Sequence, residues 1–560
     1  MDLKSQLSKV IRGEVIDSPD VLETFSKDAS IFVVKPELVI APKDSEDIQA
    51  LVKFVDDHPE FDLSLTPRAA GTCMSGGPLS ESLVLDMTKY FKKIKKVGED
   101  YAVTEPGVFY RDFEKETLKK NLLLPCYTSS RELCTVGGMV GNNSAGEKTL
   151  SYGQTERYVR ELKVVLSDGE EHHIKPLTKS QLEVKIKEKS FEGKLYRQIS
   201  ELIERNRELI EKHAPKTSKN STGFYLWKVW DSEREVFDLN KLIVGSQGTL
   251  GIVTEIKFGL VKPKTQKAMV EIELGSLDQL DKVVLDVLEF KPESFECFDE
   301  QTIKFSYKFI PDFKKDFKKR NSDPIQLKLL PGFMRDLFRK LPKIVLIAEF
   351  TGDSEEEVTK QANSAHELLK KFSKIRTRVV PAGDSDKYWI LRRDSFNILR
   401  NHSGKTLRTA PFIDDIVVQV EKLPAFLPRL QKLMAQYRKK IIYTIAGHIG
   451  NGNFHIIPLM DMHKKEIRDL IPEIQEKVFS LVFEFGGSMA AEHNDGLVRG
   501  AFLEKMYGSE MLQLFKAVKK IFDPRGIFNP HKKMDATHEY SRAHLSGAGI
   551  TVQDYKSVKK

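Results

Sequence analysis

The apolar positions along this chain change period repeatedly, and each change predicts an element. Residues 35–55 read KPELVIAPKDSEDIQALVKFV. An unbroken apolar run gives way to apolar residues three and four apart, which predicts a strand followed by an amphipathic helix. ESLVLDM (81–87) and KKVGEDYAVTEPGV (95–108) predict short strands, and RDFEKETLKKN (111–121) a helix. VRELKVVLSDGEEHHI (159–174) predicts a hairpin around Asp168-Gly169. LYRQISELIERNRELIEKHA (195–214) keeps helical spacing throughout and predicts one helix. LIVGSQGTLGIVTEIKFGLV (242–261) predicts a strand, a glycine-rich turn and a second strand.

Pro263 marks a boundary. Beyond it AMVEIEL, KIVLIAEF and DDIVVQV predict strands. Each lies near a helical pattern: SLDQLDKVVLDVLEF, SEEEVTKQANSAHELLKKF or LPAFLPRLQKLMAQY. That alternation predicts a second α+β domain. GSEMLQLFKAVKKIFDP predicts a last helix, and the polar tail after Met534 is expected to be disordered.

Composition adds limits. A chain of 560 residues calls for two or three domains. No apolar run reaches the length of a membrane span, and the N-terminus carries acids instead of an apolar core, so neither a spanning helix nor a secretory signal is expected. Four cysteines without a C-x-x-C pair argue against a disulfide scaffold and against an iron–sulfur cluster in this chain, which makes a reducing cytoplasm the expected compartment. The net charge of +8 has an address: residues 304–343 hold twelve Lys/Arg against four Asp. The plain reading is a solvated insertion; the sharper one is a surface for anionic lipid, peripheral to the inner face of a membrane, or for a partner subunit. Charge alone does not exclude nucleic acid, but no role for it is expected.

Three loops are rich in small residues: PRAAGTCMSGGPLS (67–80), CTVGGMVGNNSAGE (134–147) and GSQGTLGI (245–252). Such loops let backbone N–H groups approach an anion. None follows a single-loop nucleotide motif, so together they suggest one large phosphate-bearing cofactor held by several loops.

A second pattern lies in IAGHIGNGNFHIIPL (445–459). If Asn451-Gly452 forms a two-residue type I′ turn, His448 faces His455 directly, with Cβ atoms about 5 Å apart on one face. Two imidazoles so placed can grip one cation, though such a pair can also merely pack beside a turn. GGSMAAEHNDGLVRG (486–500) adds Glu492, giving two histidines and a carboxylate with positions open to water or substrate.

Together these stretches resemble the FAD-linked oxidases of the vanillyl-alcohol-oxidase (PCMH) type, in the branch of D-lactate dehydrogenase, glycolate oxidase and D-2-hydroxyglutarate dehydrogenase. The resemblance covers roughly residues 25–534. PRAAGTCMSGG is similar to that family's pyrophosphate loop, TVGGMVGNNSAG with YGQT to its second FAD loop, and GSQGTLGIVTE to its GSEGTLGIVTE, with Gln247 where Glu is usual. FDPRGIFNPHK resembles DPxGxxNPGK with His531 for Gly; GHIGNGNFH resembles GHxGDGNxH; and AAEHNDG resembles SGEHGxG with Asn494-Asp495 as a departure.

The resemblance implies an α+β fold: a two-lobed FAD-binding domain near 30–262 after an N-terminal segment 1–29, then a cap with an antiparallel sheet at 263–500. A helical segment at 501–534 would return to the flavin ahead of the tail 535–560. It implies Gly71, Thr72, Ser75 and Gly76 at the diphosphate, and Thr135, Gly138, Asn142, Ser144 and Gly146 near the isoalloxazine. Ile252 would lie on the adenine side. The first loop has no histidine, and Cys134 is spaced differently from a cysteine that bonds flavin in a distant branch, so FAD is expected to be non-covalent. His448, His455 and Glu492 are implied as ligands of a divalent metal, Zn²⁺ or Mn²⁺, and His493 as the base.

KYWILRRDSF resembles the family's W-x-L-R-E, which makes Arg392 the holder of a substrate carboxylate and Arg393 its rival. DDIVV resembles DVAVP, and its acids are expected only to orient neighbours. Ile457 stands where some dicarboxylate-specific relatives carry Asn, which favours a monocarboxylate such as D-lactate. The expected reaction is oxidation of a small 2-hydroxy acid. Electrons would pass on to an iron–sulfur subunit, a quinone, a cytochrome or a flavoprotein. A sugar-acid or alkylglycerone-phosphate-type flavoenzyme, a non-flavin metallohydrolase and a basic binding protein are the alternatives.

Overall fold

The computed structural model describes residues 2–308, 338–381, 384–389, 392–393 and 407–546. Most of the basic stretch 304–343 therefore lies outside the described residues.

The first domain has two lobes. Its first sheet contains β1 (Glu14–Ile16), β2 (Leu38–Ala41), β3 (Leu65–Arg68) and β4 (Leu83–Asp86), in the order β1-β2-β4-β3. β2, β4 and β3 are parallel. β2 is buried at every residue, as its unbroken LVIA requires. The helix Ser45–Asp57 covers the sheet; Asp44 caps it by accepting from the Asp47 amide, and Ile48, Leu51, Val52 and Val55 form its buried stripe.

The second lobe contains β5 (Ile94–Val97), β6 (Tyr101–Thr104), β7 (Val159–Val165) and β8 (Glu171–Ile174). A small side sheet of β9 (Leu177–Thr178), β10 (Trp230–Asp231) and β11 (Val236–Phe237) follows. β12 (Ile252–Gly259) then enters the middle of the lobe, giving the antiparallel order β5-β6-β12-β7-β8.

The cap is an eight-stranded antiparallel sheet. Its strands are β13 (Gln266–Leu274), β14 (Ser294–Asp299), β15 (Ile344–Gly352), β16 (Ile375–Val380), β17 (Leu407–Thr409), β18 (Ile416–Val417), β19 (Ile442–His448) and β20 (Asn453–Asp461). The order is β16-β13-β15-β14-β19-β20-β17, with β18 also on β20. Helices Leu280–Leu288 and Glu355–Leu369 bury Val283, Val284 and Val287, and Val358, Ala362 and Ala365. The register keeps Glu271, Ile347 and Glu296 on a common face, where Glu296 meets His448 of β19. That face carries the chemistry.

Three local expectations need correction. The helix over 195–214 is two helices, Phe191–Arg205 and Arg207–His213. Asn206 breaks it by turning its Nδ2 back to the Leu202 carbonyl at 2.8 Å. LIVG is not a strand: Asn240–Ile243 is one helical turn. It is set up by Asp238, whose Oδ1 accepts from the Asn240 backbone and side chain at 3.0 and 2.8 Å. Residues 535–546 of the tail are ordered. Thr537 caps a helix, His538–Ala543, and the Ser546 amide donates to the Ile31 carbonyl at 2.8 Å.

Candidate active site where glycine loops meet a histidine sheet

The two histidines do converge, by a different turn from the one expected. His448 pairs with Asn453 and His455 with Ala446, so four residues separate the strands instead of two. Gly452 has φ +67°, but Asn451 is not left-handed, and a type I′ turn needs both. The chain instead makes a 3₁₀ turn over Ile449–Asn451. His448 and His455 become diagonal neighbours on one face, with ring centroids 5.2 Å apart.

Glu492 closes the cluster. Its Oε1 lies 3.3 Å from His448 Nε2, 3.2 Å from His455 Nε2 and 3.7 Å from His493 Nε2. Each ring has a carboxylate behind it: Glu296 at 2.6 Å from His448 Nδ1, and Asp414 at 3.1 and 2.7 Å from the Nδ1 atoms of His455 and His493. Glu492 Oε2 lies 3.2 Å from the Nζ of Lys219, a lysine with no exposed side chain. Lys219 and His448 overcome burial and hold the Glu492 carboxyl well below the usual range. Burial pushes His455 down, but Asp414 and Glu492 outweigh it and carry it up to about 10. Three imidazoles and a carboxylate so placed could hold a cation, and the Nε2/carboxylate donor set would suit Zn²⁺ or Mn²⁺. Asp415, His455, Glu492 and His493 also offer ligand atoms within 4.8 Å of one another. Asp415 Oδ2, however, already accepts from the Glu492 and His493 amides at 2.8 and 2.7 Å, so His448 is the better third ligand.

The three glycine loops meet at Gln247. Its Nε2 donates to Ser75 Oγ at 3.2 Å and Asn142 Oδ1 at 3.0 Å, and its Oε1 accepts from the Gly496 amide at 2.8 Å. The histidine loop therefore rests directly on the glycine loops. The Leu497 amide donates to the Ser75 carbonyl at 2.7 Å, and Asn494 Nδ2 donates to the carbonyls of Asn142 and Gly245 at 3.1 and 2.9 Å. Asn529, in the terminal NPHKK stretch, returns to the same point and donates to the carbonyls of Gly77 and Gln247 at 2.9 and 2.6 Å.

The loops fit a phosphate-bearing cofactor. Gly71 and Gly76 have φ of +69° and +80°, and the amides of Ala70 and Thr72 donate to no protein acceptor among the described residues. Open amides on either side of a left-handed glycine suit an anion. Thr135 caps the helix Val136–Asn142 by accepting from the Gly138 amide, and Gly141 faces open space within 4 Å. Ser144 and Gly146 lie one turn further on: the Ser144 carbonyl takes the Thr155 hydroxyl at 2.8 Å, and a Cβ on Gly146 would meet the Tyr127 carbonyl at 2.0 Å. Ile252 stands apart, paired with Val165 and fully buried in the first-lobe core. Burial pushes the Cys134 thiol up to about 11.

Arg392 is 5 % exposed and reaches Glu296 Oε2 at 2.9 Å, so it belongs to the same buried network as His448. Arg393 instead makes a two-point pair with Glu147 at 2.9 and 2.5 Å. The acids of DDIVV do orient neighbours, and the neighbours are His455, His493 and the amides after Ala491. Lys219 and Glu296 were not foreseen. The signals were a lysine in the polar run SKNST ahead of the apolar GFYLW, and an acid inside the otherwise apolar strand SFECF.

A two-lobed domain with glycine-rich loops, capped by an antiparallel sheet that carries a histidine–carboxylate cluster, is the architecture of a two-domain flavoprotein. Residues 36–175 match the FAD binding domain, and residues 263–533 the C-terminal domain of the FAD linked oxidases. The chain belongs to this family of FAD-linked oxidases. It is 26% identical over 527 residues to a D-2-hydroxyglutarate dehydrogenase of Pseudomonas putida, covering 93% of this chain and 50% of the relative. It is 26% identical over 540 residues to the glycolate oxidase subunit GlcD of Bacillus subtilis, covering 95% and 96%. The chain thus spans about half the length of the first of these relatives. In fold it is similar to a 4-ethylphenol oxidase from Gulosibacter chungangensis, with TM-score 0.66 and 14% identity over 96% of this chain and 97% of the other.

Proposed function

We propose that this chain oxidises a small D-2-hydroxy acid to the 2-oxo acid. One observation carries the reading: three imidazole Nε2 atoms converge on Glu492 Oε1, and the loop that bears Glu492 is hydrogen-bonded to the first glycine loop. When bound, FAD at the glycine loops would supply a two-electron acceptor, and a Zn²⁺ or Mn²⁺ ion on His448, His455 and Glu492 a Lewis acid. The remaining work falls to the protein's own groups. His493 is the most exposed of the three histidines, with 22% of its side chain accessible. Its Nε2 takes the substrate hydroxyl proton, and Asp415 and Asp414, working against burial, favour the imidazolium so formed. Arg392 anchors the substrate carboxylate, with Glu296 keeping the guanidinium turned to the centre. Burial of these groups excludes water and strengthens each contact.

Ile457 is buried and pairs with Thr444, two residues along the strand from His455 and on the same face. An apolar wall there supports a short monocarboxylate, D-lactate ahead of glycolate, over the dicarboxylate named for the Pseudomonas putida relative. Electrons then leave to an iron–sulfur subunit, quinone, cytochrome or flavoprotein. No helix among the described residues is long and apolar enough to cross a membrane. The test is anaerobic bleaching of flavin absorbance across a panel of D-2-hydroxy acids, with and without chelator. His493→Ala is expected to keep the flavin and to lose about 10²–10⁴-fold in turnover. Unchanged turnover in that variant overturns the reading.

A further inference from the structure

We propose that Asp414 is a positioning residue shared by two rings. One oxygen sets the ligand-forming face of His455, and the other sets the proton-accepting face of His493. The inference rests on the function proposed above and adds to it the group that couples cation grip to proton removal.

Asp414 is fully buried, and the partners of its carboxylate are two imidazole nitrogens. Oδ1 lies 3.1 Å from His455 Nδ1 and Oδ2 lies 2.7 Å from His493 Nδ1. The two rings lie one over the other, 24° from parallel with centroids 5.2 Å apart. A proton shared with Asp414 at each Nδ1 leaves both Nε2 lone pairs directed at the Glu492 side. The His493 contact is short but off-line for a hydrogen bond.

The backbone shows how the carboxylate comes to lie there. In a strand, neighbouring side chains point to opposite faces. Asp414 and Asp415 are neighbours, yet Asp415 binds the Glu492 and His493 amides while Asp414 binds the rings of His455 and His493. Asp415 has φ +73°, a left-handed conformation rare for a residue with a side chain, and it breaks the alternation. Arg499, fully buried, holds the bend by donating to the carbonyls of Asp414 at 2.5 Å, Met489 at 2.9 Å and Asn494 at 2.9 Å. Glu296 behind His448 is separate and serves as an internal control.

The experiment uses the flavin-loaded full chain saturated with Zn²⁺. Hydrogen-bonded imidazole Nδ1 protons are followed by far-downfield proton NMR, together with zinc affinity and kcat. Three downfield resonances are expected in the parent protein. Asp414→Asn presents one acceptor and one donor where two acceptors stood, so it is expected to abolish or shift two resonances and leave the third. Glu296→Gln is expected to remove only that third one. With flavin content and melting unchanged, Asp414→Asn is expected to lower zinc affinity about 10–100-fold. It should also leave kcat at saturating zinc at least tenfold down, and Asp414→Glu should restore part of both. Retention of all three resonances unshifted in Asp414→Asn, or a loss or shift of only one, overturns the shared role; so does a fall in zinc affinity without a fall in kcat, or the reverse. A parent protein that oxidises no 2-hydroxy acid but shows the expected resonance pattern refutes the proposed activity and leaves the placement of Asp414 standing.

Discussion

In the glycine loops the groups proposed to hold the cofactor are backbone amides, presented by residues with little or no side chain. In the histidine sheet they are side-chain nitrogens and oxygens, each backed by a second buried side chain: Glu296 behind His448, Asp414 behind His455 and His493, Lys219 behind Glu492. A backbone site fails when atoms are added to it, and a side-chain site fails when a charge or a lone pair is taken away. The two should therefore be separable by mutation everywhere except where they touch.

The largest separation is expected from His448→Ala. It removes a proposed ligand and leaves buried Glu296 with Arg392 as its remaining partner, so turnover should fall by about 10³-fold or more while flavin absorbance stays. Metal analysis and a visible spectrum on one sample check both halves. Loss of flavin together with metal would merge the two sites.

The next effect is at the junction. Gly496 has φ +49°, and a Cβ there would lie 2.2 Å from the Ser75 carbonyl oxygen. Gly496→Ala is expected to cost about 3 kcal/mol and to lower flavin and metal content together. A variant that loses only one of them would show that the loops are held apart by other contacts.

Gln247→Leu removes three hydrogen bonds that tie the glycine loops to one another and to Gly496. The expected result is a roughly tenfold weaker flavin dissociation constant, about 1.4 kcal/mol, with zinc affinity little changed. Fluorescence titration of the apoprotein measures it.

The smallest effect lies outside both sites and calibrates them. Burial works against His172, but Asp168 and Glu192 carry it up to about 9. The raised value means this contribution to stability is full below about pH 6.5 and is lost as pH rises through about 9. His172→Gln should flatten the melting temperature between those limits by a few degrees, about 1 kcal/mol. A matching change in turnover would show that the hairpin bears on the site.

The same difference in material decided what the sequence could tell. Glycine loops announce themselves by composition, and many of the strands and helices around them by period, while the two-lobed domain and the capping sheet came from the family resemblance of those loops. His448, His455 and Glu492 were visible because ligands need particular residue types. Two of their supports were not, because Lys219 and Glu296 come from segments 273 and 152 positions from the groups they touch, whereas the acids of DDIVV were expected to orient neighbours. The expected hairpin register failed because Gly452 alone adopts the left-handed conformation. The helix over 195–214 failed because Asn206 had a local carbonyl to bond. The tail looked solvated because only six residues of it form a helix, and its anchors are Ile31 and Phe32, more than five hundred positions away.

Ser75 accepts from the amides of both Leu497 and Val498, and Gly496 leaves no room between them. The part of the chain that looks like a separate cap is thus riveted by main-chain bonds to the loop that would cradle the cofactor. Heating should give a single calorimetric transition instead of two, because the two parts share these main-chain bonds.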